Sequence, residues 1–234
     1  MSNPLVSVAV VGRDLWPMTQ QSLEGLIFTM SVPWELVFIN NGSTDKTKEV
    51  FEQIAPTWKW HFFEGYLAQH YKRPVSLAAA WNKAYKMISP SAQYVLFANN
   101  DIVYYQAGWW DRIQQALDGG FQLTGIQEMT WGRFRFIEGS LFAARREHFE
   151  AVTEDGRLFD TRFALSCEDV DLSERFLRAG LRIGQAHGLQ PDYLVHIGHQ
   201  TLSKFGATED TVGKMHESRR RLCKKYGYPP QVND

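Results

Sequence analysis

Asn99, Asn100 and Asp101 end an almost wholly apolar run, Tyr94–Val95–Leu96–Phe97–Ala98. Such a run predicts a strand covered on both faces, and open α/β sheets bind ligands at the carboxyl ends of their strands. A carboxylate held there can grip a divalent cation and, through it, a diphosphate. The same three residues also suit a turn, because Asn and Asp bond their own backbone. A second polar cluster, Asn40–Asn41–Gly42–Ser43–Thr44–Asp45, follows the strand-like Glu35–Ile39 and opens a helical pattern. Its amides can offer a donor and an acceptor to the edge of a nucleobase. Gly42 permits a tight turn and Ser43 or Thr44 can cap the helix, so a plain strand–turn–helix corner is the first explanation of the hexapeptide taken alone.

These residues need elements to hold them. Leu5–Val11 is a β-branched run ending at Gly12, and a helical pattern follows around Met18–Thr29. Thr44–Ile54 and the Ala-rich Val75–Ile88 read as helices, with Trp58–Phe63 as a strand between them. Alternating strand and helix predicts a parallel, doubly wound α/β sheet in residues 1–101. Residues 102–234 are less regular. Trp109–Leu117 reads as a helix, Gln122–Ile126 and Phe136–Ala143 as strands, and Asp169–Ala179 as a helix closed by Gly180. Leu181–Ala186 reads as a strand and Asp210–Tyr226 as a basic helix. No repeat or linker separates the halves, so one compact domain is expected.

Composition narrows the class. The chain has 234 residues, 44% apolar and 22% charged, with a net charge of −1, which is ordinary for a globular protein. No global field draws nucleic acid or an anionic membrane, although Arg219–Arg221 with Lys224 and Lys225 form a local basic run. No apolar stretch can span a bilayer, and Met1–Pro4 lacks the pattern of a secretory signal. Two cysteines, Cys167 and Cys223, are too few and too distant for a disulfide framework or zinc site, so a cytoplasmic compartment is expected.

Four segments, in this order, resemble a glycosyltransferase of the GT-A fold, family 2-like. They are Val6–Val11, Phe38–Asp45, Leu96–Asp101, and Phe159–Asp160 through Cys167–Leu172 to Arg178–Gly180. The resemblance implies a Rossmann-like, doubly wound mixed sheet. It implies an inverting, metal-dependent enzyme that moves a sugar from a nucleoside-diphosphate sugar, UDP-sugar foremost, to the hydroxyl of a glycan or other acceptor. Val11, Gly12, Arg13, Asn40 and Asn41 then correspond to the nucleobase-reading strand ends. Asn99–Asn100–Asp101 resembles the family's Asp-x-Asp motif with an amide in the first position. Asp101 is the implied metal ligand, and Asn82 joins the donor pocket. Glu168–Asp169 resembles the family's acidic pair at a helix start, with Asp169 as the base that deprotonates the acceptor. Capping and first-turn charge are the plain alternative for that pair. His196 is the implied second metal ligand, with His199 as the alternative, and the ligand set suits Mn²⁺ or Mg²⁺. Glu138, Gly139, Trp109 and Glu168 are implied on the acceptor side, with Trp110 and Trp131 as further candidate walls.

Two rival classes remain in view. A sugar nucleotidyltransferase needs a glycine-rich basic loop after the first strand, and Val11–Trp16 contains one Gly and one Arg. A non-catalytic nucleotide- or glycan-binding module on the same fold is the alternative outside enzymology.

Overall fold

The computed structural model describes residues 5–163, 166–198 and 209–229. Its first four strands are β1 (Val6–Gly12), β2 (Trp34–Asn40), β3 (Phe63–His70) and β4 (Tyr94–Asn99). They are mutually parallel, β1 pairing with β2 and β4, and β2 with β3. The crossovers carry α1 (Trp16–Thr29), α2 (Thr47–Ile54) and α3 (Leu77–Met87). Side chains of alternate strand residues go to opposite faces of a sheet. Val8, Val10, Leu36, Phe38 and Leu96 accordingly lie in one core cluster, and Ala9, Val37, Ile39, Val95 and Phe97 in the other. Burial on both faces is what their near-continuous apolar sequence requires.

After β4 come β5 (Ile102–Tyr104), α4 (Trp109–Asp118), β6 (Leu123–Gly125) and the hairpin β7 (Glu128–Trp131) and β8 (Phe134–Ile137). They are followed by β9 (Leu141–Arg145), α5 (Arg146–Ala151), α6 (Glu168–Arg178), β10 (Ile183–Gln185), β11 (Leu194–His196) and α7 (Glu209–Tyr226). The central sheet runs β10-β6-β9-β4-β1-β2-β3. Its β9 is antiparallel to both neighbours, β4 and β6. The sheet is therefore mixed, as the resemblance implied. A separate pair, β5 with β11, carries the segment before β6 against the chain that ends at His196.

Two strand assignments need correction. Trp58–Phe63, read as the third strand, is mostly the segment leading into it, and β3 begins at Phe63. Trp58 packs edge-on against Phe51 and Phe63, so its apolar character reflects core contact rather than strand alternation. Phe136–Ala143, read as one strand, is broken at Glu138–Ser140 between β8 and β9. The break lets Gly139 face Asp169, where an added Cβ would sit 3.2 Å from the Asp169 side chain.

Candidate active site

Three strand ends converge. Gly12 lies opposite Asn40, and Val11 opposite Asn99, so the carboxyl ends of β1, β2 and β4 stand side by side. Asn99 donates its N–H to the Ser140 carbonyl at 2.7 Å, which ties the end of β4 to the Glu138–Ser140 break. Asn100 and Asp101 are buried beneath this rim. The Asn100 side chain donates to Thr19 Oγ1 at 2.7 Å, so it fixes α1 to the strand end. A Cβ on Gly12 would approach Asn100 Nδ2 to 3.3 Å, so β1 must end on a residue with little or no side chain there.

Asp101, His196 and Glu138 form the polar centre. The end of β11 swings beside Asp101 because the Ile197 N–H donates to the Asp101 carbonyl at 3.0 Å. Asp101 Oδ1 and His196 Nε2 come within 3.1 Å, and His196 Nδ1 stands 3.5 Å from Glu138 Oε1. Glu138 Oε2 in turn accepts from the Ser140 hydroxyl. Burial of the imidazole works against its charge, but Asp101 and then Glu138 outweigh it, so its pKa lies above the ordinary 6.5. Asp101 Oδ1 and His196 Nε2 are nevertheless buried with no hydrogen-bond partner among the described residues. Two buried Lewis bases left unsatisfied against each other fit a divalent cation. Ligands each about 2.1 Å from an octahedral ion lie about 3 Å apart at right angles, which matches their spacing. No three His, Cys, Asp or Glu side chains among the described residues gather as a metal cage. The protein would thus supply two ligands, and diphosphate oxygens and water the rest, the pattern of hard cations at phosphate sites.

The acidic pair sits across the break. Asp169 Oδ2 accepts from the Gly139 N–H at 3.0 Å, and Oδ1 from the Val170 N–H at 2.8 Å. Each carboxylate keeps some exposed surface, yet the protein packed around it strips most of its hydration. Burial pushes the Glu168 carboxyl well up, and the Asp169 charge adds to the push. Burial raises Asp169 too, but the Val170 and Gly139 N–H groups counter it before Glu138 adds to the rise. Asp169 therefore ionises first and Glu168 retains the proton, the division expected of a coupled acidic pair. Glu168 Oε2 is buried without a hydrogen-bond partner, which fits a neutral acid better than a carboxylate.

This division predicts a pH-dependent effect on stability. A carboxyl group raised in the folded state stabilises the fold below its unfolded pKa, and that stability is lost as pH rises through the folded value. Glu168→Gln should therefore raise the unfolding free energy by about 1 kcal/mol or more near pH 9 and give no gain near pH 5. Urea unfolding at both pH values checks it, and an equal effect at both would remove the assignment of the proton to Glu168.

The other sequence-derived candidates divide clearly. Val11 is nearly covered at the end of β1, and Arg13 is half-buried just beyond it. The Asn40 carboxamide oxygen accepts from the Ser43 N–H at 3.0 Å, leaving its amide group for a ligand. Asn41 is different: its amide bonds the Val75 carbonyl at 3.0 Å and its oxygen accepts the Val75 N–H at 2.9 Å. Asn82 likewise spends both groups on the Phe159 backbone, at 2.7 and 2.9 Å. Both are brackets between loops rather than open donor-pocket groups. Trp109 requires a firmer correction, because its ring is wholly buried and its indole N–H donates to Thr29 Oγ1 at 2.9 Å. It has no face to offer an acceptor, and Trp110 is equally buried. Trp131 stacks on Phe134 at 5.6 Å in the β7–β8 hairpin. His199 lies outside the described residues.

Sequence reading missed Asp14. Its buried carboxylate accepts from the Thr44 N–H at 2.6 Å and the Asp45 N–H at 3.1 Å, locking the loop after β1 onto the turn that opens α2. A lone acid in a loop gives no pattern, and only its left-handed backbone (φ 55°) in the structure betrays the constraint.

With this geometry in place, the profile of glycosyl transferase family 2 matches residues 7–155. The chain belongs to glycosyl transferase family 2. The match covers the strand ends through Asp101 and the Glu138–Ser140 break, while Asp169 and His196 lie beyond it. Solved structures agree on the fold of this family 2 domain. A mannosyltransferase from Pyrobaculum calidifontis, PcManGT, in complex with GDP-Man and Mn²⁺, superposes with a TM-score of 0.63 at 16% identity, over 79% of this chain and 55% of that one. S. aureus TarS 1–349 in complex with UDP-GlcNAc gives 0.64 at 16% identity, over 94% of this chain and 66% of that one. The catalytic domain of Drosophila β1,4-galactosyltransferase 7 gives 0.56 at 14% identity, over 89% of this chain and 77% of that one. Identities this low speak to the GT-A glycosyltransferase fold alone. The family 2 domain spans little more than half of the mannosyltransferase and just under two thirds of the TarS fragment. No curated protein matches the chain by sequence. No helix among the described residues is long and apolar enough to cross a membrane.

Proposed function

We propose that this domain transfers a sugar from a nucleoside-diphosphate sugar to an acceptor hydroxyl, with inversion and with the help of Mn²⁺ or Mg²⁺. The observation that carries the reading is the unbroken constellation Asp101–His196–Glu138–Gly139–Asp169, which joins the donor-side strand ends to a carboxylate able to act as base. The nucleotide lies across Gly12, Arg13, Asn40 and Asn99, in the part of the chain up to residue 101. The acceptor lies against Glu138, Gly139 and Glu168, in the part that follows. Asp101 and His196 hold the cation, which when bound neutralises charge on the departing diphosphate. Glu138 accepts the Nδ1 proton of His196 and so keeps Nε2 as the free lone pair.

The transfer is a single displacement. Asp169 takes the proton of the acceptor hydroxyl as its oxygen bonds the anomeric carbon, and the bond from that carbon to the diphosphate oxygen breaks with its electron pair leaving on the nucleotide. The Gly139 N–H holds Asp169 in place for this step. The neighbours bound to GDP-Man and UDP-GlcNAc support a nucleoside-diphosphate sugar as donor class.

The test is a thermal-shift panel of UDP, GDP, dTDP and CMP, each with and without Mn²⁺. A ligand at about a hundredfold over its dissociation constant adds roughly 2.7 kcal/mol, which raises the midpoint of a chain this size by about 5–10 °C. The expected result is a metal-dependent rise with UDP or GDP and none with CMP. No rise with any diphosphate would overturn the reading, and stabilisation without turnover of the matching sugar nucleotide would move it to a non-catalytic binding module.

A further inference from the structure

The fully buried Asp171 stands two residues after Asp169 on α6, aimed away from the rim. It accepts from Arg175 Nε at 3.1 Å within its own helix. It also accepts from Lys225 Nζ at 2.7 Å and from the Tyr226 hydroxyl at 2.8 Å, both on α7. Lys225 reaches Glu154 at 3.2 Å as well, and Arg178 lies 4.6 Å over the Tyr226 ring. Tyr226 and Tyr228 pack edge-on against Phe134 of β8, while Leu222 and Cys223 enter the same cluster as Cys167 and Val170 at the start of α6. On its opposite stripe, α6 is bonded to the break before β9. Asp169 accepts from Gly139, and one turn later Ser173 Oγ accepts the Ile137 N–H at 3.1 Å. Residues four apart on a helix share a face, so these two bonds form one seam and Asp171 with Arg175 form the other.

We infer that Lys225 and Tyr226 are positioning residues for Asp169: α7 clamps α6 through Asp171 and thereby sets the angle at which the base meets the acceptor. This rests on Asp169 being the base. A buried carboxylate must be fully paired to stay where it is. Removing a donor from α7 leaves Asp171 short of partners, and the first turn of α6 then shifts against Gly139. Displacement of a catalytic group by about 1 Å is enough to slow a reaction by up to roughly a hundredfold. Within the basic C-terminal run, Lys225 thus has an internal task. Lys225 faces Asp171, Arg221 pairs with Glu217, and Arg219 lies over the Trp131 ring at 5.4 Å.

The test compares Tyr226→Phe, which removes one hydroxyl, with Lys225→Met and the double variant Asp171→Asn/Lys225→Met. Two readouts are taken on the full chain: release of UDP from UDP-GlcNAc and of GDP from GDP-mannose with Mn²⁺, and amide exchange by mass spectrometry. The expected result is a kcat lowered about tenfold in each single variant with donor KM unchanged. Exchange should rise at residues 137–141 and 167–172 and stay the same in β1, β2 and β4. The double variant also strips the buried Arg175 of its carboxylate, so it should not recover the kcat lost by Lys225→Met. Unchanged kcat and unchanged exchange in the single variants would overturn the inference. A wild type that turns over no sugar nucleotide matching the thermal-shift panel, but whose variants still loosen at Gly139, would overturn the transfer reading while supporting the clamp.

Discussion

Asp169→Asn should lower the rate of sugar transfer by about 10²- to 10⁴-fold, the range a positioned general base contributes. It should leave the metal-dependent thermal shift of the nucleotide as it is in the wild type. Asn matches Asp in size, and its carboxamide oxygen can still accept the Gly139 N–H that Asp169 accepts at 3.0 Å. Basicity is lost, and with it the second oxygen, which accepts the Val170 N–H at 2.8 Å. That lost bond costs folding about 1 kcal/mol, partly offset because burial already opposes the Asp169 charge. The measurement is single-turnover release of nucleoside diphosphate from the donor identified by the thermal-shift panel. A variant within a few-fold of wild type would assign the proton transfer elsewhere and return Asp169 to a helix-start role.

Asp101→Asn should abolish the Mn²⁺-dependent part of the nucleotide thermal shift, a loss of roughly 2.7 kcal/mol under saturating ligand. The amide keeps the shape but supplies a neutral, weak ligand beside His196, which stands 3.1 Å away. Metal and proton compete for the imidazole, so in the wild type the shift should shrink as pH falls through the raised His196 pKa. Without metal, the sign of the pH effect on stability follows from the same pair. A histidine raised in the folded state adds stability that is complete below its unfolded pKa and is lost as pH rises through the folded value. Asp101→Asn should therefore destabilise the metal-free protein near pH 5 more than near pH 8, read by urea midpoints. A variant that retains the full Mn²⁺ effect would show that the cation is held elsewhere.

The strand ends were legible because burial on both faces leaves a plain signature, and β1, β2 and β4 fall within a residue or two of the apolar runs that mark them. The edge strand β3 was not, because Phe-Glu-Gly-Tyr-Leu-Ala-Gln-His is half-exposed and carries no such run, while the aromatics before it imitate alternation. The short pair β5 and β11 was missed, since each follows or precedes polar residues that read as turn and loop, without the flanking apolar stretch that marks the equally short β6 and β10. At the site, residue type indicated chemistry but could not indicate which way a side chain points. Asn40 and Asn41 look alike in sequence, yet Asn41 is consumed by Val75 while Asn40 keeps its amide group. Trp109 reads as a ligand wall and proves to be core. Asp171 carries no mark in the sequence to set it apart from the other acids of α6, yet it is wholly enclosed and paired with Arg175 and Lys225.

One reversal of direction in the sheet has a wider consequence. Because β9 runs against β4, the connection that enters β9 lies on the same rim as the loops that leave β1, β2 and β4. The β7–β8 hairpin feeds into that rim through Ile137, and chain length added to it leaves the register of the four parallel strands untouched. With the acceptor against Glu138 and Gly139 as proposed, its recognition can diversify by insertion while the parallel strands stay unchanged.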